Sequence, residues 1–295
     1  MALGGYPPKC RRTRKNTWVF RLPNIENPQD CKNTCSDELL LLDSLTKVTM
    51  HTKIAHITDL HLDEAFPKEQ GVKARERFQV VLEDIQNEGI QEVICTGDIG
   101  EGEGIAYFFE KLSGFDLTIT LGNHDSFDKV LPFLHQKTAS NAQKLYYSIQ
   151  RDTYKCICLD SSQGVIDELQ LHWLREMLKT TCPTIIFVHH PILGLDLKVD
   201  EIGMLQNRVE VKELLENISQ DITVFCGHYH MESSTHYKNI HQYITPAVSY
   251  QIEKDKETIS IDNQLFGYRV ITIDQQQILS NIRILSNANQ TTITH

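Results

Sequence analysis

Five short polar clusters punctuate the chain, and each holds residue types that bind metal ions or move protons. They are Asp59-Leu60-His61, Gly97-Asp98, Gly122-Asn123-His124-Asp125, His189-His190 and Gly227-His228-Tyr229-His230. Side chains of an extended segment alternate with period 2, so Asp59 and His61 fall on one side and can reach one ion. His228 and His230 do the same from another strand end, while Asn123 and His189 add single donors. The set is two carboxylates (Asp59, Asp98), one amide oxygen (Asn123) and four imidazoles (His61, His189, His228, His230). It suits two borderline-hard ions such as Mn, Fe, Zn or Co and suits calcium poorly. Asp98, between the first and third clusters, is the natural bridge.

Each cluster alone has an ordinary explanation, as a turn or a solvated surface group. Jointly, in this order and each behind an apolar run, they point to a metal centre. Other histidines stay out of it: His56 lies inside a strand and is expected to pack or hydrogen-bond in the core, and His172 sits on a helix beside Trp173. His190 follows a ligand directly and, by alternation, supports rather than ligates. Asp63 and Glu64 read as surface charges. Gly97, Gly122 and Gly227 are expected where strands turn and backbone approaches the ions.

These side chains need strands to carry them. Apolar runs at 53–58, 92–96, 117–121, 184–188 and 222–226 each end at one of the clusters. Helical spacing of apolar residues marks 72–87 (Phe78, Val81, Leu82, Ile85), 104–112, 167–179 and 209–218. Runs at 146–150 and 154–159 read as a hairpin, and the last sixty residues as short strands at 243–245, 268–273 and 278–284. Strands alternating with helices indicate α/β layering, with ligand sites beyond the C-terminal strand ends.

Residues 1–49 differ. Six basic residues precede the first acid, Glu26, and no apolar period persists. We expect a disordered extension over 1–49 and one catalytic domain over 50–295, beginning at Met50. With 29 Lys plus Arg against 39 Asp plus Glu, the net charge of −10 disfavours nucleic acid as a partner. No apolar stretch is long enough to span a membrane and no secretory signal is evident, so the expectation is a cytoplasmic protein without membrane contact. The eight cysteines lie mostly in apolar runs and read as buried thiols, and Cys31 with Cys35 lacks a second pair for zinc.

The five clusters, together and in order over residues 53–230, resemble the calcineurin-like metallophosphoesterase family. The resemblance implies a four-layer α/β/β/α sandwich of two mixed β-sheets flanked by helices, with two metal ions (Mn2+, Fe2+/Fe3+ or Zn2+) between the sheets. It implies one ion on Asp59, His61, Asp98 and His230, and the other on Asp98, Asn123, His189 and His228. Within the family, Ile54-Ala-His-Ile-Thr-Asp-Leu-His61, Ile244-Thr-Pro-Ala-Val-Ser-Tyr-Gln251 and Phe266-Gly-Tyr-Arg269 are most similar to class III cyclic-nucleotide phosphodiesterases. The extension before Met50 and the segment 196–206 have no counterpart in that pattern. The latter could be a lid or a homodimer contact.

The implied activity is hydrolysis of a small phosphodiester, 3',5'-cyclic AMP or a related cyclic nucleotide, by a hydroxide shared between two ions. His124 is expected to face the phosphate and stabilise charge or protonate the leaving alkoxide, with Asp125 orienting its ring. Another small diester or a monoester is the alternative substrate. Lipid-precursor hydrolases of this superfamily carry Arg where His124 stands, and a catalytically silent scaffold is disfavoured by the complete ligand set. The pocket walls are expected from segments 63–75, 194–208 and 245–266.

Overall fold

The computed structural model describes residues 51–134, 143–151, 153–274, 277–286 and 293–294; the expected extension at 1–49, and Met50, lie outside them. The first half runs β1 (Thr52–Ile57), α1 (Ala65–Glu69), α2 (Ala74–Asn87), β2 (Glu92–Cys95), α3 (Glu103–Lys111), β3 (Asp116–Ile119) and α4 (Phe127–Val130). Then come β4 (Tyr147–Gln150), β5 (Lys155–Cys158), α5 (Glu168–Met177), β6 (Thr184–Phe187), α6 (Lys198–Gly203), α7 (Arg208–Glu216) and β7 (Ile222–Cys226). The rest is β-structure: β8 (Ser233–Tyr237), β9 (Ile240–Ile244), β10 (Gln251–Ile252), β11 (Ile261–Asp262), β12 (Leu265–Asp274), β13 (Gln277–Ser286) and β14 (Ile293–Thr294).

Two six-stranded sheets result, β14-β13-β12-β1-β2-β3 and β4-β5-β6-β7-β9-β8, while β10 and β11 form a separate pair. Both sheets are mixed: β1, β2 and β3 are parallel, as are β5, β6, β7 and β9, with antiparallel neighbours outside them. The period-2 alternation of β1 sets the layers. Ala55 and Ile57 pack with Phe78, Val81 and Leu82 of α2 and Phe108 of α3, whereas Ile54 faces Phe187 and Phe225 of the other sheet. On that second sheet Ile186 and Val224 pack against Leu171 and Leu174 of α5 and Val211 and Leu215 of α7. Helices, sheet, sheet, helices is the expected four-layer sandwich.

The four long helices lie where the apolar spacing places them. Asp167 caps α5, its carboxylate accepting the Gln170 backbone N–H at 2.8 Å. His56 sits between the sheets, bonded to Thr96 Oγ1 at 2.9 Å and Thr245 Oγ1 at 2.7 Å. No helix among the described residues is long and apolar enough to cross a membrane.

Candidate metal centre

Backbone bonds lace the strand ends together. Asp59 N donates to Gly97 O (3.0 Å), Leu60 N and His61 N both donate to Asp98 O (2.9 Å each), and Gly227 N donates to His189 O (3.0 Å). The Asp59 carbonyl in turn accepts from Ser249 N (3.1 Å) and Ser249 Oγ (2.6 Å), so residues 244–251 cradle the first cluster. Five of the seven expected ligand residues are not extended, where alternation predicts extended backbone. Asp59, His61, Asp98, His228 and His230 have φ between 48° and 70°, the left-handed region that L-residues rarely adopt. Each such residue stores about 1–3 kcal/mol of strain, a pattern concentrated at functional sites. The clusters therefore converge by tight left-handed turns beyond the strands rather than by pleating. Gly97, at φ 100°, turns in the same way, while Gly227 serves close approach: a Cβ there would lie 2.5 Å from Asp59 Oδ2.

Two groups of donors form. Asp59, His61 and His230 gather in one, with His61 Nε2 and His230 Nε2 3.1 Å apart and His230 Nε2 3.5 Å from Asp59 Oδ1. Asp98, His189 and His228 gather in the other, where His189 Nε2 lies 3.1 Å from both His228 Nδ1 and Asn123 Oδ1. Asp98 Oδ2 lies between the two groups, 3.6 Å from His61 Nε2 and 3.3 Å from His189 Nε2. The alternation argument sent His228 and His230 to one ion. The structure separates them, because their left-handed backbones fan the rings apart around buried Tyr229.

The outward-facing ring nitrogens decide whether these groups fit cations. His230 Nδ1 meets the Tyr250 carbonyl (3.0 Å), His189 Nδ1 the Thr96 carbonyl (2.9 Å), His228 Nε2 the Gly203 carbonyl (2.8 Å) and His61 Nδ1 the Glu64 carboxylate (3.0 Å). A carbonyl or carboxylate only accepts, so each outer nitrogen carries a proton, and in the neutral ring each inner nitrogen presents a lone pair. Inward-facing lone pairs beside two buried carboxylates make an arrangement that calls for positive charge between them, as protons or as cations. The charges tell the same story. Burial opposes protonation of His189, yet the Asp98 and Asp59 carboxylates raise it to about 9; burial instead holds His230 down near 4. The carboxylates demand positive charge, which two ions would supply.

A family model described as calcineurin-like phosphoesterase matches residues 52–232. The chain belongs to the calcineurin-like phosphoesterase family. It is thus a hydrolase of phosphoric esters. Among its relatives, a 3',5'-cyclic-nucleotide phosphodiesterase of a Nostoc species is 28% identical over 237 residues, covering 75% of this chain and 87% of that protein. A glycerophosphodiester phosphodiesterase of Enterobacter lignolyticus is 27% identical over 218 residues, 68% of this chain and 78% of its own. A dimetal phosphatase from Danio rerio shares the fold with a TM-score of 0.54 at 15% identity, covering 78% of this chain and 98% of that one.

Beside the first donor group of this phosphoesterase stands His124, its backbone N–H donating to Asp98 Oδ1 at 2.9 Å. Two expectations are corrected here. Asp125 does not orient His124: its carboxylate is occupied by the backbone N–H groups of Asp98 (2.7 Å), Ile99 (2.9 Å) and Gly122 (2.8 Å), so it holds the loops that carry Asp98. Glu64 is not a surface charge. It is buried, and Oε2 accepts from both His61 Nδ1 and His124 Nδ1, the latter at 2.9 Å. Its neighbour Asp63 does face outward and engages Arg75. His190 lies outside the donor groups, bonded to Ser161 Oγ at 2.9 Å, and burial, with His189 beside it, holds its ring down at about 3.

A cavity of about 250 Å³ opens beside His61 and Glu64, walled by Pro67, Val72 and Ala74, within the expected 63–75 segment. The larger groove of about 920 Å³, lined by residues of α5 and α7, contains none of the clustered ligands.

Proposed function

We propose that this phosphoesterase is a dinuclear phosphodiesterase acting on 3',5'-cyclic AMP or a related 3',5'-cyclic nucleotide. The observation that carries the reading is the shared Asp98 Oδ2 between two lone-pair-lined donor groups, with His124 beside them. Asp59, His61, Asp98 and His230 would hold one ion and Asp98, Asn123, His189 and His228 the other, with Mn, Fe or Zn suited to this mixed N/O set. When bound, such a pair supplies Lewis-acid polarisation of the phosphate and an acidified water.

The chain's own part is positional and acid–base. The hydrogen bond to Glu64 raises His124 to about 9, so at neutral pH its imidazole is a cation able to donate through Nε2 to a phosphate or leaving oxygen. A diester carries one negative charge where a monoester carries up to two. Of the lysines and arginine that wall the cavity beside His61, Arg75 is engaged by the Asp63 carboxylate, Lys73 by Glu76 and Lys68 by the Asp63 backbone carbonyl, which favours the diester. The named cyclic-nucleotide relative supports the cyclic substrate, and the named glycerophosphodiester relative supports a second reading, a small linear diester.

The test is hydrolysis of 3',5'-cyclic AMP, glycerophosphocholine, bis-p-nitrophenyl phosphate and p-nitrophenyl phosphate, each with Mn2+ and with chelator. Mn-dependent cleavage of the cyclic nucleotide is expected. Cleavage of the linear diesters alone would leave the second reading, and a preference for the monoester would refute both. His124→Ala should keep its metal content and lose about 10²–10⁴-fold in kcat.

A further inference from the structure

Segment 196–206 contains α6 and is tied down at both ends, while Ile202 on it faces outward. Val199 and Leu205 are buried, Lys198 N donates to the Asp255 carbonyl at 3.0 Å, and Gln206 N to the Gly164 carbonyl at 2.9 Å. Its buried acid, Asp200, accepts from Tyr229 Oη at 2.6 Å and meets Arg208 NH1 with both oxygens, at 2.7 and 2.8 Å. Tyr229 stands between His228 and His230, so this anchor grips the stretch that carries two ligands. At the other end of α6, a last-turn carbonyl has no intrahelical partner. That carbonyl, Gly203 O, accepts the Nε2–H of His228 at 2.8 Å. Only glycine allows the approach, because a Cβ at 203 would lie 2.8 Å from the same Nε2.

We propose that α6 is a positioning strap for the second ion. Asp200 locks the strap through Tyr229 and Arg208, and the Gly203 carbonyl keeps the His228 proton on Nε2 so that the Nδ1 lone pair faces the ion. The inference rests on the two-ion reading above and adds selectivity to it. His61 and His230 take their outer partners from Glu64 and Tyr250, off the strap, so losing the Gly203 contact acts directly on the His228 ion alone. Outer partners of ligating histidines typically carry 10–100-fold in metal affinity.

Two measurements on the full chain test it: ¹⁵N NMR of the His228 tautomer without metal, and calorimetric titration with Mn2+. Wild type should show the Nε2–H tautomer and two binding events. Gly203→Ala should mix the tautomers and weaken the second event about 10–100-fold while sparing the first, and Asp200→Ala should mix the tautomers and weaken the second event more than the first. Wild-type tautomer and affinities in either folded variant would overturn the strap, and so would equal weakening of both events. Asp200→Ala strips Arg208 of its partner; should it fail to fold, Gly203→Ala decides alone. A wild-type chain that binds fewer than two ions contradicts the two-ion reading, whereas unchanged variants contradict the strap only.

Discussion

Glu64 spends one carboxylate oxygen on two imidazoles, and the consequence is electrostatic as well as geometric. Burial would raise its pKa, but the bonds to His124 and His61 bring it down to about 2, so it stays ionised wherever the protein is folded near neutrality. Its charge keeps His124 protonated up to about 9. The sign follows: a raised imidazole loses its proton as pH rises through the raised value, so kcat should fall on the alkaline side, around pH 9. Removing the charge with Glu64→Gln should start that fall about 1–3 units lower. A pH–rate profile checks this, and coincident alkaline limbs would contradict it. The sequence hid Glu64 for a physical reason. Asp63 and Glu64 are adjacent acids behind a ligand motif, where solvated charges are the ordinary outcome, and Asp63 is one. Only the left-handed turn at Asp63 (φ 66°) and the start of α1 aim Glu64 inward, and both depend on tertiary contacts.

The elements were legible in proportion to their length and burial. Helices α2, α3, α5 and α7 carry apolar stripes long enough to show a 3.6-residue period, and the buried strands β1, β2, β6 and β7 are continuous apolar runs. Helices α1, α4 and α6, at five, four and six residues, are too short to show one. Strand β8, Ser-Ser-Thr-His-Tyr on a sheet edge, has no apolar face to betray it. What joins these elements at the site is close backbone contact, which sequence marks only by glycine. Gly227→Ala should therefore drive a methyl against Thr58 and Asp59 Oδ2, costing about 1–3 kcal/mol. A thermal melt of the metal-free protein reads that cost, and an unchanged melting temperature would show that the loops give way more easily than their lacing implies.

Across the whole molecule, the two sheets bring together ligands far apart in sequence, with Asp59 and His230 at the extremes 171 positions apart. The five clusters announced a metal centre because their residue types and strand-end placement agree, and the fold followed from the alternating elements and the resemblance. The division of the donors between two groups was not in their spacing: His228-x-His230 suggests one shared group, and the folded backbone sends the two rings to opposite groups. That division makes Asp98 the pivot. The chain's net charge of −10 also makes the ions the natural counterweight to an anionic substrate. The most direct measurement is the number of Mn2+ ions bound per chain, by elemental analysis after equilibrium dialysis, in wild type and in Asp98→Ala. The shared-carboxylate centre predicts two in wild type and loss of tight binding at both positions in the variant. A single ion in wild type, or two retained without Asp98, would contradict it.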